Sequence, residues 1–373
     1  MKKTSVLLWY WGRHGGGPKY TLELARVLAK CPSIQVHLSL SRQSDFFEQS
    51  MALNLPGWHL DTYTNIHSAV LSSLRLPVLK RKFFEYILKN KIQIINCTMS
   101  HLWNAFFVPC IHRAGAKFVL TVHDALPHPG EENTLRRWLL KKEINSSDAL
   151  ITLTEHVKLE LGAVYKYPQE SITVIPHGVF NYGVNCKARK FPHDRPLRLL
   201  FFGRILKYKG LDIMVDAYKQ IVGSMHRSIE LYITGSGESC FSDYRKIPGL
   251  FIDNRWIPEN EISDIFNKAD LVITPYIEAS QSGVIPTAYA AGLPVVATPV
   301  GGIKEQVWHK HTGIIADSVK SKDVAKAIAE LVNNPELYEK CSARALYEAE
   351  NNLSWALTGK KVLGVLQEIA VRH

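Results

Sequence analysis

Residues 271–302, LVITPYIEASQSGVIPTAYAAGLPVVATPVGG, restrict this chain to a small set of folds. Leu271–Thr274 is a short apolar and β-branched run, the pattern of a strand buried on both faces. Pro275 ends it, and Glu278 and the polar or small residues Ser280, Gln281, Ser282 and Gly283 follow. Pro286 is tolerable only in the first turn of a helix, so residues 284–291 form a helix that starts near Ser282 and Gly283. Gly292 closes it, and residues 294–298, PVVAT, make a second buried strand. Strand, loop, helix, strand is a βαβ crossover, which commits the chain to a parallel sheet flanked by helices.

A helix start at the carboxyl end of a parallel strand presents free N–H groups and a partial positive charge, which suit a phosphate. Glu278 would repel that phosphate unless it faced another part of the ligand, such as sugar hydroxyls. The stretch therefore reads as a site for a phosphorylated sugar. It fits equally an ordinary crossover whose acid favours the helix dipole, because a motif is a hypothesis until its context is known.

At 373 residues the chain exceeds one ordinary core, so two domains are expected. A hydrophobic content of 46% with 21% charged residues is globular. The apolar run 6–11 after a basic start is too short for a signal h-region and reads as the first strand, which places the chain in the cytoplasm. Six scattered cysteines without a CxxC pair give neither a disulfide framework nor a metal site. Residues 1–190 hold 24 Lys and Arg against 13 Asp and Glu, which accounts for the whole net charge of +11. A basic first half facing a neutral second half points to an anionic partner, a membrane surface or a phosphorylated acceptor, with no nucleic acid expected.

In chain order, strand 6–11 leads through GRHGGG to a helix opened by Pro18, with Leu22, Leu24, Ala25, Val27 and Leu28 on its buried face. A glycine loop there lets backbone approach a ligand closely, or is simply a tight turn. Its spacing, Gly15, Gly16, Gly17 and then Tyr20, is not the dinucleotide fingerprint, and the second strand, Ile34–Leu40, ends in Ser41 and Arg42 with no acid, so a nicotinamide cofactor is not expected. Residues 74–91 are the most basic stretch, with Leu79, Phe83, Tyr86 and Ile87 on one face. That helix can lie on an anionic membrane, or pack on its own sheet with a solvated basic rim, which is the commoner outcome.

Further strands are expected at 92–97, 118–122, 149–153 and 172–175, separated by helical segments. His123 and Asp124 follow the 118–122 strand at its carboxyl end, where open α/β sheets bind ligands, and otherwise form a structural loop pair. Residues 181–196 read as the linker, dividing the chain at 185/186. The alternation restarts with strand 198–202, helix 211–222, strand 231–234, a short strand at 251–252 and helix 260–269, and ends in a helix at 352–370. Gly203, Arg204, Lys209 and Gly210 lie between a strand and a helix, where two cations five residues apart would hold a diphosphate or merely decorate a loop. The chain contains no Asp-x-Asp, so Arg204, Lys209 and backbone dipoles would carry the leaving charge in place of a metal.

Together these residues resemble the retaining GT-B glycosyltransferases of family 4 (glycosyl transferases group 1). The resemblance covers nearly the whole chain and is strongest over 198–302. FFGRILKYKG is similar to the family element whose basic pair binds the donor diphosphate, which implies that role for Arg204 and Lys209 beside Gly203. The E-x7-E donor motif of the family implies that Glu278 contacts the transferred sugar, with Gly235, Ser282, Gly283 and Val284 also on the donor. Its second acid, which holds the nucleotide ribose, is replaced by Thr287 at a spacing of nine. A hydroxyl bonds a ribose more weakly than a carboxylate does. The resemblance further implies an acceptor and phosphate loop at Gly15, Gly16 and Gly17, and a histidine near the donor sugar at His123. It also matches His177 and Gly178 to a motif after the last strand of the first domain, and a terminal helix about 356–373 that returns to that domain.

The expectation is thus an α/β chain of two Rossmann-like doubly wound domains, 1–185 and 186–355, facing across a cleft that closes about the linker. It would move a hexosyl group from a UDP- or GDP-sugar to a sugar or lipid-linked sugar acceptor, with retention and without a metal or cofactor, in cell-surface polysaccharide or glycolipid synthesis. The cytoplasm is its expected station, with peripheral attachment to the inner face of the plasma membrane open as a hypothesis from the basic first half. A same-fold sugar-phosphate epimerase or phosphorylase, and a non-catalytic nucleotide-sugar binding protein, stay open as alternatives.

Overall fold

Among the described residues twelve short strands carry the fold, and in each sheet every pairing is parallel. The computed structural model describes residues 3–127, 133–223, 227–239 and 241–371. They fold as two compact units. The first holds residues up to Pro127, Asn133–Pro176 and Trp355 onward; the second holds residues from His177 to Ser354.

In the first unit β1 (Thr4–Tyr10), β2 (Ile34–Leu40), β3 (Ile94–Cys97), β4 (Lys117–Val122), β5 (Ala149–Thr152) and β6 (Ile172–Val174) stand in the order β2-β1-β3-β4-β5-β6. Alternation along β1 assigns its two faces. Leu7, Trp9 and the following Trp11 join Phe83, Ile95, Phe107 and Phe118 in one core, with the Trp9 and Trp11 rings 4.9 Å apart. The helix Gly16–Leu28 packs with Trp355–Val371, where Gly359 leaves room for Val27. The glycine loop thus enters its helix at Gly16, two residues ahead of Pro18.

In the second unit β7 (Leu197–Phe202), β8 (Ile229–Gly235), β9 (Leu250–Asn254), β10 (Leu271–Thr274), β11 (Val295–Ala297) and β12 (Gly313–Ile315) stand in the order β12-β11-β10-β7-β8-β9. Leu199 and Phe201 pack with the helices Leu211–Val222 and Ser321–Val332. Leu200 and Val272, of the opposite parity, pack with Phe266, Ile285 and Tyr289.

Three expectations need correction. The division falls at 176/177, not 185/186, because the polar segment after Pro176 is fastened to the second unit. Val179 donates its N–H to Leu353 O, the Arg189 guanidinium donates to the carbonyls of Ala291 and Asn267, and Phe191 is in the second core. The edge strand β12 and the helices Ser321–Val332 and Pro335–Asn351 were not expected; the last displaces the start of the terminal helix from 352 to Trp355. Of the two outcomes open to the basic helix, Leu76–Lys89, the commoner holds: it buries Leu79, Phe83 and Ile87 in its own core. Finally, β1 ends at Tyr10 and leaves Trp11 outside the ladder but fully buried. Among the described residues no helix is long and apolar enough to cross a membrane.

Candidate functional site

At the carboxyl end of β7 the backbone is packed too closely for side chains. Gly203 has φ 112° and Gly235, ending β8, has φ 146°. A Cβ on Gly235 would stand 1.8 Å from Gly203 O, and Gly203 donates its N–H to Thr234 O. Only glycine satisfies both the positive φ and the approach. Gly210, at φ 69°, is equally constrained, since a Cβ would stand 2.0 Å from Pro275 O. These glycines let the loop 203–210 lie against the segment that follows β10, and Ile277 seals the contact by donating its N–H to Tyr208 O at 2.8 Å.

The two cations are gathered by this loop. Arg204 is exposed and donates to the Tyr208 hydroxyl at 3.4 Å. Lys209 is half-buried, its Nζ 3.8 Å from the Tyr276 ring centroid and 5.2 Å from that of Tyr208. An ammonium so placed is attracted by the ring faces, which fixes its position in the loop.

Tyr276 is buried, and burial pushes its phenol up to about 12, so it stays protonated. Its hydroxyl meets Ser282 Oγ at 3.2 Å, and that oxygen accepts the Val284 N–H at 3.3 Å. Ser282 is further held by a reciprocal pair with Gln306, whose Oε1 accepts the Ser282 N–H at 2.7 Å and whose Nε2 donates to Ser282 O at 3.0 Å. Gly283 then caps the helix Val284–Ala290, whose seven residues give it only a small dipole. Glu278 is exposed on the same segment as Tyr276. Thr287 is buried, and its hydroxyl donates to Gly283 O at 2.9 Å, so what it can offer a ligand is a lone pair. Gly203, Arg204, Lys209, Gly235, Glu278, Ser282, Gly283, Val284 and Thr287 all belong to this one unit, around strand ends that point the same way.

The other expected residues lie elsewhere. Gly15, at φ 81°, caps the helix Gly16–Leu28, and a Cβ on Gly17 would run into the Tyr10 ring. Thr21 in that helix bonds Thr98 at 2.5 Å, and the carbonyl of Thr98 accepts from His123 Nε2 at 2.9 Å. Burial lowers the His123 pKa, so the ring is neutral, with Nε2–H committed and Nδ1 left as an acceptor. The Tyr20 ring stands edge-on to it at 5.3 Å. Asp124 is half-buried next to it. These residues belong to the first unit, whereas His177 and Gly178 open the second, the His177 Nδ1 bonded to Gly178 O at 2.6 Å. Sequence reasoning missed Tyr208, Tyr276, Gln306 and Tyr20. Tyr276 alone carried a signal, as the residue directly after the strand-ending Pro275. Among the described residues no group of three or more His, Cys, Asp and Glu side chains could hold a metal ion.

Residues 14–180 match the family model described as Glycosyltransferase Family 4, and residues 196–334 match that described as Glycosyl transferases group 1. The D-inositol 3-phosphate glycosyltransferase of Thermobispora bispora is 26% identical, over 97% of this chain and 91% of its own. A solved structure of Anabaena Alr3699/HepE in complex with UDP is similar with a TM-score of 0.74 at 16% identity, covering 98% of this chain and all of that one. Sucrose-phosphate synthase from Thermosynechococcus elongatus gives a TM-score of 0.76 at 16% identity, over 98% and 99% of the two chains. These neighbours share the GT-B fold.

Proposed function

Because this chain belongs to glycosyltransferase family 4, the group 1 glycosyl transferases, we propose that it moves a hexosyl group from a nucleoside diphosphate sugar to an acceptor hydroxyl with retention of configuration. One observation carries the reading: Arg204 and Lys209 converge on Tyr208 at the end of β7, with Lys209 also over Tyr276. Two fixed cations within one short loop match the two negative phosphates of a donor diphosphate. They stabilise that diphosphate most as the bond from the anomeric carbon to its oxygen breaks and charge collects on the leaving group. The acceptor hydroxyl then attacks the same face, and its proton passes to the departing phosphate oxygen. In this reading the reaction needs no divalent ion, because the two side chains already supply the charge.

Glu278 takes the hydroxyls of the transferred sugar, and backbone about Gly203, Gly235 and the start of the helix Val284–Ala290 seats the rest of the donor. UDP is favoured over GDP as the nucleotide, since the similar Anabaena structures hold UDP and UDP-glucose. The acceptor, a sugar or lipid-linked sugar, is assigned to the basic first unit, near Gly15, Gly16 and Gly17. Names among the similar proteins, an inositol-phosphate glycosyltransferase and a lipopolysaccharide core galactosyltransferase, support a role in glycolipid or cell-surface polysaccharide synthesis. The free cysteines Cys31, Cys97, Cys110, Cys186 and Cys341 suit a reducing cytoplasm. Lipid-linked acceptors would draw the chain to the inner face of the plasma membrane.

A second reading, a nucleotide-sugar binding protein without turnover, is favoured by Thr287, which stands for an acid and spends its hydroxyl proton within its own helix. A panel of UDP- and GDP-sugars screened by thermal shift, followed by transfer assays, separates the two. The proposal expects one donor to raise the melting temperature, and its turnover to collapse in Arg204→Ala and Lys209→Ala while both variants stay folded. Donor binding with no transfer to any acceptor supports the second reading. Release of an epimerised free sugar would instead identify an epimerase.

A further inference from the structure

The outer side of the basic helix is the part of the first unit that its fold leaves unexplained. Beside the buried stripe of Leu79, Phe83 and Ile87, the helix Leu76–Lys89 meets the helix Asn104–Arg113 along a groove of about 430 Å³. Leu76, Pro77 and Phe84 line it from one helix, and Phe106 and Cys110 from the other. Lys80, Arg81 and Arg113 rim it, and among the described residues no acid lines it. The Arg113 guanidinium lies over the Phe84 ring at 5.3 Å, which holds the cation at the groove and keeps its charge. The one nearby acid on that helix, Glu85, is engaged by Arg81 at 2.8 Å on the exposed side. Leu71 and Leu74, just ahead of the helix, and Val78 in its first turn are 67%, 77% and 58% exposed.

We propose that this groove docks the chain on a bilayer rich in anionic phospholipid, the headgroup phosphates meeting Lys80, Arg81 and Arg113 while Leu71, Leu74, Val78 and Phe106 enter the interface. The charge complementarity selects this occupant. An apolar floor ringed by cations is what an anionic amphiphile needs, whereas a second copy of this groove would be repelled by its own charge. The inference sharpens the membrane placement proposed above to one groove, and it holds whether or not the donor chemistry is right.

Co-sedimentation of the full chain with vesicles tests it. We expect binding to phosphatidylglycerol-containing vesicles, little to pure phosphatidylcholine, and loss of binding with added salt. Lys80→Glu with Arg113→Glu weakens binding at least about tenfold, since each basic residue at an anionic surface contributes substantially. Lys360→Glu with Lys361→Glu makes the same change in net charge on an exposed part of the terminal helix, and leaves binding close to that of the parent chain. Circular dichroism checks that both variants fold. Equal binding to both vesicle types overturns the inference, as does an equal loss in the two double variants. If the groove variant instead dissociates a dimer without changing vesicle binding, the groove seats a second copy and the membrane role falls.

Discussion

Lys209 Nζ lies 3.8 Å from the centre of the Tyr276 ring, although the two residues sit in loops that follow different strands, β7 and β10. The contact makes Tyr276 a positioning residue for the cation proposed to hold the donor diphosphate. It also joins that cation to the Ser282 hydroxyl and so to the start of the next helix.

The ring and the hydroxyl of Tyr276 therefore separate experimentally. Tyr276→Phe keeps the face under Lys209 and loses only the Ser282 contact, so the donor KM rises by no more than about threefold. Tyr276→Leu removes the face, and a cation–π contact of ~1–2 kcal/mol corresponds to a KM rise of about tenfold. Both variants lose some stability, because the side chain is buried. Initial rates against donor concentration decide the matter: equal KM values in the two variants would remove the role assigned to the ring.

Thr287 gives a contrasting expectation. Its hydroxyl proton is used within the helix and its side chain is 4% exposed, so Thr287→Ala changes donor KM by less than about threefold and stability by roughly 1 kcal/mol. A drop in transfer of a hundredfold would show that the hydroxyl holds the donor after all.

Two glycines answer alanine in opposite ways. At Gly235 a Cβ would meet Gly203 O at 1.8 Å in a backbone of positive φ, so Gly235→Ala costs on the order of 3 kcal/mol and shifts the loop that carries Arg204. Gly364 lies inside the helix Trp355–Val371 with nothing within 4 Å of its Cβ position, and Gly364→Ala stabilises by about 0.5–1 kcal/mol. Urea denaturation of both variants tests the pair, with opposite shifts of midpoint expected.

What the sequence makes legible follows from how local each signal is. Strands buried on both faces announce themselves as β-branched runs, and the Arg204–Lys209 spacing is readable because both sit in one loop. Tyr276 under Lys209 is not readable, since it depends on Ile277 bonding Tyr208 across two loops. Gln306 lies 24 positions from the Ser282 backbone it grips, with no pattern between them. The strand β12 is three residues long and lacks alternation, and the segment after Pro176 is polar enough to read as a linker although Arg189 and Phe191 anchor it.

Glu143 supplies a prediction about pH. It is fully buried in the first unit, accepting from Ser100 Oγ at 2.9 Å and from Asn104 Nδ2 at 3.3 Å. Burial outweighs those two bonds and raises its pKa to about 8, so the folded chain holds the proton at neutral pH. The unfolded chain releases it near the ordinary value of 4.5. Between these values the folded state binds more protons, so the contribution of Glu143 to stability is full below about pH 4.5 and is lost as pH rises toward 8, by on the order of 5 kcal/mol in all. Glu143→Gln has no proton to lose, and its stability curve over that window lacks this fall. Urea midpoints of the parent chain and the variant at pH 5, 6.5 and 8 provide the check, the variant gaining on the parent at each step. Parallel curves for the two proteins would mean that Glu143 is ionised in the folded state, with its charge compensated by a group other than Ser100 and Asn104.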